Sequence, residues 1–119
     1  MRKSIHLSLD AMGGDNAPQI VVDGAAQSKI RYPDVKFSFF GNKYKLIQLV
    51  SSLKTLKNSE IIHTDENIDA NQKPSVAVRK GKNSSMGLAI QSVKVGKTDA
   101  VVSAGNTGAL MAMTKLFLR

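Results

Sequence analysis

The chain has 119 residues, room for one compact domain, and its 42% hydrophobic and 22% charged residues are a globular composition, not a disordered one. Charged or polar residues interrupt every apolar stretch before it reaches membrane-spanning length, and the absence of cysteine excludes disulfides, thiolate metal sites and a cysteine nucleophile. A formal charge of +8 would attract any polyanion or simply keep the surface solvated, but aromatics are only 5% and none is interleaved with the basic residues as a base-stacking platform requires.

Met1-Arg2-Lys3 is basic but runs straight into an alternating segment, not into a signal-peptide core. Ser4 to Asp10 alternates, with Ile5, Leu7 and Leu9 apolar, and predicts a strand. The turn Ala11-Met12-Gly13-Gly14-Asp15-Asn16 follows. Asn16 to Gln19 has capping-box-like spacing and Pro18 suits a first turn, so a helix is expected from there to about Arg31, stopped by Tyr32-Pro33-Asp34. Val35 to Phe40 is the second strand. Tyr44 to Leu56 places Leu46, Ile47, Val50 and Leu53 on one helical face. Glu60 to His63 is a short third strand and Thr64 to Lys73 a polar loop. Pro74 opens a helical stretch to about Val95 with a break near Gly81. Ala100 to Ser103 is a fourth strand, Ala104 to Gly108 a second glycine-containing turn, and Leu110 to Leu118 the last helix.

Strands alternating with helices predict βαβ units around a parallel sheet with helices on its faces. The last helix is apolar on nearly every side (Leu110, Met111, Met113, Leu116, Phe117, Leu118), which predicts burial on more than one face. Either a partner subunit or a longer chain would cover it, and a fragment of something longer is the favoured reading. His6 and His63, on strands, are read as structural and not as bases.

Ligands of open parallel sheets bind outside the carboxyl ends of the strands, where both glycine turns fall. Each leads into a helix whose amino end presents unpaired N–H groups, a ready place for phosphate. Gly105 and Gly108 permit close approach of the backbone, while Asn106 and Thr107 add side-chain donors. Neither turn is a Walker A motif or a full dinucleotide fingerprint, and a Gly-Gly turn is often no more than a turn. A third element is Lys73-Pro74-Ser75 with Arg79, Lys80, Lys82, Asn83, Ser84 and Ser85. Basic residues and hydroxyls near a helix start suit a phosphate or acyl phosphate, although a basic helix face in water would read the same.

Leu9-Asp10-Ala11-Met12-Gly13-Gly14-Asp15-Asn16-Ala17-Pro18 resembles the opening signature of the PlsX phosphate:acyl-carrier-protein acyltransferases. The stretch from Asp99 through Ser103-Ala104-Gly105-Asn106-Thr107-Gly108 to Met111 resembles their second signature, and Lys73-Pro74-Ser75 with Ser84-Ser85-Met86 the segment between. Asn71-Gln72 stands where the family is usually acidic, and Gly81-Lys82-Asn83 where it usually has two basic residues and an aspartate.

The resemblance implies a three-layer α/β/α fold with a mostly parallel sheet, similar to isocitrate and isopropylmalate dehydrogenases, of which residues 1–119 would be the amino-terminal portion. It implies transfer of a fatty acyl group from acyl carrier protein to inorganic phosphate, giving acyl phosphate for phospholipid synthesis. Neither a metal nor an organic cofactor is implied. A homodimer, a cytoplasmic location and peripheral membrane association are expected, and nucleic acid is not a partner. Lys73 and Asn106 are the expected catalytic residues. Asp10, Gly13, Gly14, Asp15, Ser75, Arg79, Ser103, Gly105, Thr107 and Gly108 are expected to bind phosphate or substrate. Direct attack by phosphate without an acyl-enzyme is the expected route. The alternatives are a phosphotransacetylase-like enzyme of the same fold and a non-catalytic basic fragment or anion-binding module.

Overall fold

Alternation along the strands decides which side of the sheet each helix covers. The computed structural model describes residues 4–119, so the basic start Met1–Lys3 lies outside the described residues. Four parallel strands, β1 (His6–Asp10), β2 (Lys36–Gly41), β3 (Glu60–His63) and β4 (Ala100–Val102), form one sheet in the order β3-β2-β1-β4. Register pairs Leu7 with Phe37 and Leu9 with Phe39, so the bulky apolar side chains of β1 and β2 share one face. Against that face pack α1 (Gln19–Arg31) and α2 (Lys43–Ser51), with a 3₁₀ turn at Lys54–Leu56. Leu9, Phe37, Phe39, Val22, Ala25, Leu46, Val50 and Leu56 form this core.

The opposite face is unusually polar. His6, Ser8 and Asp10 of β1 and Ser38 of β2 lie there, under α4 (Ser85–Lys94). Small hydroxyls let α4 approach closely, and each is paired: His6 Nε2 with Ser38 Oγ at 2.7 Å, Ser8 Oγ with Thr98 Oγ1 at 2.5 Å. Burial of these groups is tolerable because they satisfy one another. Beside α4 pack α3 (Pro74–Lys80) and α5 (Thr107–Phe117), sealing a second, smaller core of Ala77, Met86, Ile90, Ala109 and Met113. The result is a helix–sheet–helix sandwich in three layers, as expected from the βα alternation.

Several local expectations are corrected. No capping box forms at α1: Pro18 itself is the N-cap, without a side-chain cap, because the helix begins only at Gln19. Asn16 contributes its backbone carbonyl to the Ile20 N–H, and the Gln19 amide donates to Asp23 instead. The helix expected over 44–56 stops at Ser51, where the chain tightens into the 3₁₀ turn, and Ile47 remains exposed. The break near Gly81 is real, and α5 begins three residues earlier than its apolar pattern suggests because Asn106 caps it. Burial of α5 is one-sided, with Ala109 and Met113 inside but Met111 69% exposed, since α3 and α4 pack against the first two.

Among the described residues, no helix is long and apolar enough to cross a membrane.

Candidate functional site

Beyond β1 the chain turns one way across the sheet, through β2 to β3, whereas β4 adds on the other side of β1. This reversal makes the carboxyl ends of β1 and β4 a topological switch point, the place where open parallel sheets hold ligands. Both glycine turns leave the sheet there, from Asp10 and from Val102, so the two corners are neighbours.

Their contact is close. A Cβ placed on Gly13 would stand 2.7 Å from Asp10 Oδ2, 2.9 Å from Ser103 Oγ and 3.0 Å from the Gly105 nitrogen. Only glycine lets one corner lie so flat on the other. Gly14 has φ 105°, a left-handed conformation that other residues rarely adopt, and it turns the chain toward α1.

Beneath the corners sits Asp10, 3% exposed. Its Oδ1 accepts from Ser85 Oγ at 2.6 Å and from the Met12 N–H at 3.3 Å, and its Oδ2 accepts from Ser103 Oγ at 2.8 Å. Ser103 Oγ in turn accepts from the Gly105 N–H at 3.1 Å. One carboxylate therefore joins β1, the first turn of α4 and the corner after β4.

Asn106 is committed at both ends of its amide. Oδ1 caps α5 by accepting from Ala109 N–H at 3.0 Å, and Nδ2 donates to the carbonyl oxygens of Asp69 at 3.1 Å and Gln72 at 2.7 Å. These bonds pin the far end of the loop that follows β3. Its near end is pinned by Thr64, whose hydroxyl donates to the Asn83 carbonyl at 2.6 Å, and by the Ser85 N–H donating to Glu66.

Loop and corners enclose a cleft of about 470 Å³ lined by Met12, Gly14, Asp15, Asn67, Ile68, Asp69, Ala70, Ala104, Gly105, Asn106 and Thr107. Among the described residues, the N–H groups of Thr107 and Gly108 at the start of α5 have no acceptor, as befits the first positions of a helix. A larger cleft, about 620 Å³, opens at the amino ends of β1 and β2 among Ser4, Lys29, Tyr32 and Lys36. It lies at the wrong end of the sheet to meet either glycine corner, and the smaller cleft is the better candidate.

The expected site residues thus divide. Gly14, Asp15, Gly105, Asn106 and Thr107 line the cleft, while Asp10, Gly13 and Ser103 lie just behind it. Gly108 is outside the lining, at a point where a Cβ would meet the Pro74 ring at 2.9 Å. Lys73 is the N-cap of α3 next to that proline and is exposed; Ser75 and Arg79 are exposed on α3, and none of the three is in the cleft lining. The lining carries two carboxylates, Asp15 and Asp69, and no lysine or arginine. Sequence reasoning missed Ser85 as a partner of Asp10 and the Asn67–Ala70 wall. The paired Ser84-Ser85 at a helix start was a visible signal, but only the fold brings it to a residue 75 positions away.

A parallel α/β sandwich with a glycine-built cleft at its switch point is the class of fold that these elements define. Residues 5–119 match the family model described as "Fatty acid synthesis protein", and the chain belongs to that family. Among curated relatives, proteins named "Phosphate acyltransferase" are 47% identical in Parvibaculum lavamentivorans and 48% identical in Rhodospirillum rubrum, each alignment covering all of this chain and 34% of the relative. A third, from Beijerinckia indica, is 46% identical, with 31% of its length covered. The chain spans about a third of the length of the curated relatives it matches.

Proposed function

We propose that this chain supplies the phosphate-holding part of an enzyme that moves a fatty acyl group from acyl carrier protein to inorganic phosphate. The observation that carries the reading is the meeting of the two glycine corners at the switch point, with Thr107 at the amino end of α5 lining an open cleft. The names of the relatives support the reaction class.

Phosphate needs little chemical activation for this reaction. Its second ionisation lies near neutral pH, so a substantial fraction is already the dianion there. A thiol leaving group has a pKa of about 8.5 and departs readily from the tetrahedral intermediate. The protein's task is to hold the nucleophile in line and to stabilise the developing oxyanion. The start of α5 performs the first task. Lys73, exposed at the start of α3 beside Pro74, brings a positive charge for the second and offsets Asp15 and Asp69. Asn106 contributes by fixing the loop wall, since its amide is already engaged on both sides.

Direct attack follows, with no acyl-enzyme. The phosphate oxygen bonds to the thioester carbonyl carbon, the carbon–sulfur bond breaks, and the thiolate takes a proton from solvent. Ser103 makes a poor nucleophile in this setting, because its oxygen already accepts from the Gly105 N–H and, among the described residues, no histidine bonds to its hydroxyl. Homodimerisation, a cytoplasmic location and contact with a membrane surface belong to the same reading.

Two measurements test it. Phosphate titration of the chain should saturate, with the largest amide shifts at Thr107 and Gly108. In a full-length relative, acyl phosphate should form with acyl carrier protein thioesters in preference to acetyl thioesters of coenzyme A; the reverse preference would favour a phosphotransacetylase-like enzyme. Absence of saturable phosphate binding, or an acyl adduct trapped on Ser75 or Ser103, would overturn the proposal.

A further inference from the structure

Asp10 lies just behind the cleft, and its surroundings turn it away from a ligand. The carboxylate is 3% exposed, and the Gly13 backbone covers Oδ2 so tightly that a single added carbon would stand 2.7 Å away. Ser85, Ser103 and the Met12 N–H already occupy its acceptor positions. A phosphate at the start of α5 would gain nothing from a carboxylate and would be repelled by one.

We propose that Asp10 is a positioning residue: by accepting the Ser103 proton it fixes the direction of that hydroxyl, which holds the Gly105 N–H and so sets the corner from which α5 presents its free amides. A serine hydroxyl has one proton. With that proton directed to Asp10 Oδ2, the oxygen lone pairs are left for the Gly105 N–H at 3.1 Å. Ser103 is then a relay and not a phosphate donor, and Gly105 contributes backbone shape and not an N–H. Ser85 belongs to the same device. It is buried under the first turn of α4, away from the cleft lining, and its 2.6 Å bond keeps the Asp10 carboxylate oriented. The ligand half of this inference rests on the phosphate reading; the corner half rests on geometry alone.

The test uses the ¹⁵N-labelled 119-residue chain with Asp10→Asn, Ser103→Ala, Ser103→Thr and, as the mildest lesion, Ser85→Ala. An asparagine offers one acceptor oxygen in place of two and adds donors, so the relay cannot be satisfied as before. Without ligand, amide hydrogen exchange at Gly105 should quicken in Asp10→Asn, Ser103→Ala and Ser85→Ala, while Leu9 and Phe39 in the central strands stay unchanged. Ser103→Thr, which keeps the hydroxyl, should remain near the unsubstituted chain. With inorganic phosphate, Asp10→Asn and Ser85→Ala should each weaken binding roughly fivefold, the worth of about one hydrogen bond. Combining Asp10→Asn with Ser103→Ala should cost little more than either alone. Unchanged Gly105 exchange in Asp10→Asn, or tighter phosphate binding once that negative charge is gone, overturns the inference. Should the unsubstituted chain bind no phosphate, the proposed function fails, and Gly105 exchange still decides whether Asp10 holds the corner.

Discussion

The Asn106 side chain donates to the Gln72 carbonyl at 2.7 Å, and through that bond the loop after β3 is tied to the start of α5. The same amide caps the helix through Ala109, so one residue serves two structural tasks across 34 positions of sequence. A residue that resembles a catalytic amide in sequence is here the fastener of the cleft wall.

Substitution separates those tasks. Asn106→Asp retains an N-cap acceptor but loses both donor bonds to the loop, whereas Asn106→Ala loses cap and tether together. The cap alone is worth about 1 kcal/mol. Urea denaturation should therefore place Asn106→Ala about 2 kcal/mol below the unsubstituted chain and Asn106→Asp between the two. An Asn106→Asp variant as stable as the unsubstituted chain would show that the tether bonds contribute nothing.

Glycine replacements should split by position. Gly13→Ala puts a carbon 2.7 Å from a buried carboxylate oxygen and 3.0 Å from the Gly105 nitrogen, so the corners must part and phosphate binding should be lost. Gly24 lies exposed within α1 with nothing within 4 Å of an added Cβ. Gly24→Ala should raise stability by about 0.5–1 kcal/mol and leave the cleft untouched. Thermal melts and a phosphate titration on the pair read both outcomes.

Gly87 is the most demanding of the helical glycines. A Cβ there would meet the Gly81 carbonyl oxygen at 2.2 Å and that of Lys82 at 2.7 Å, both backbone atoms of the turn joining α3 to α4. Backbone cannot step aside as a side chain can. Gly87→Ala should cost about 3 kcal/mol or more, at the top of the overpacking range, and detach α3 from its seat beside α5. A melting temperature within a degree or so of the unsubstituted chain would refute this close approach.

Charge should govern the encounter with acyl carrier protein, if that typically acidic partner is the acyl donor. Most lysines and arginines among the described residues are exposed, and the formal charge of +8 would attract a polyanion. Association should slow as ionic strength rises from 0.01 M to 0.15 M, over which the screening length falls from about 30 Å to about 8 Å. Stopped-flow rates independent of salt would remove charge steering from the account.

Much was legible in the residues themselves, because the signals are local. Alternation in 4–10, the break at Gly81, and the glycine turns after the first and fourth strands depend on near neighbours in the chain, and each appears in the structure. Periodicity misjudged the second helix: Leu53 and Leu56 continue the helical spacing, yet the chain tightens after Ser51 to lay Leu56 into the core beside α1. What the residues could not disclose was strand order, and that alone brings β4 next to β1 and sets Ser85 and Ser103 on opposite oxygens of Asp10. The basic run from Lys73 to Lys82 likewise reads as part of a pocket until α3 turns Ser75 and Arg79 outward. Hydrogen bonds between positions 75 and 93 residues apart leave no periodic trace in a sequence, since their partners are chosen by the packing of whole elements and not by spacing along the chain.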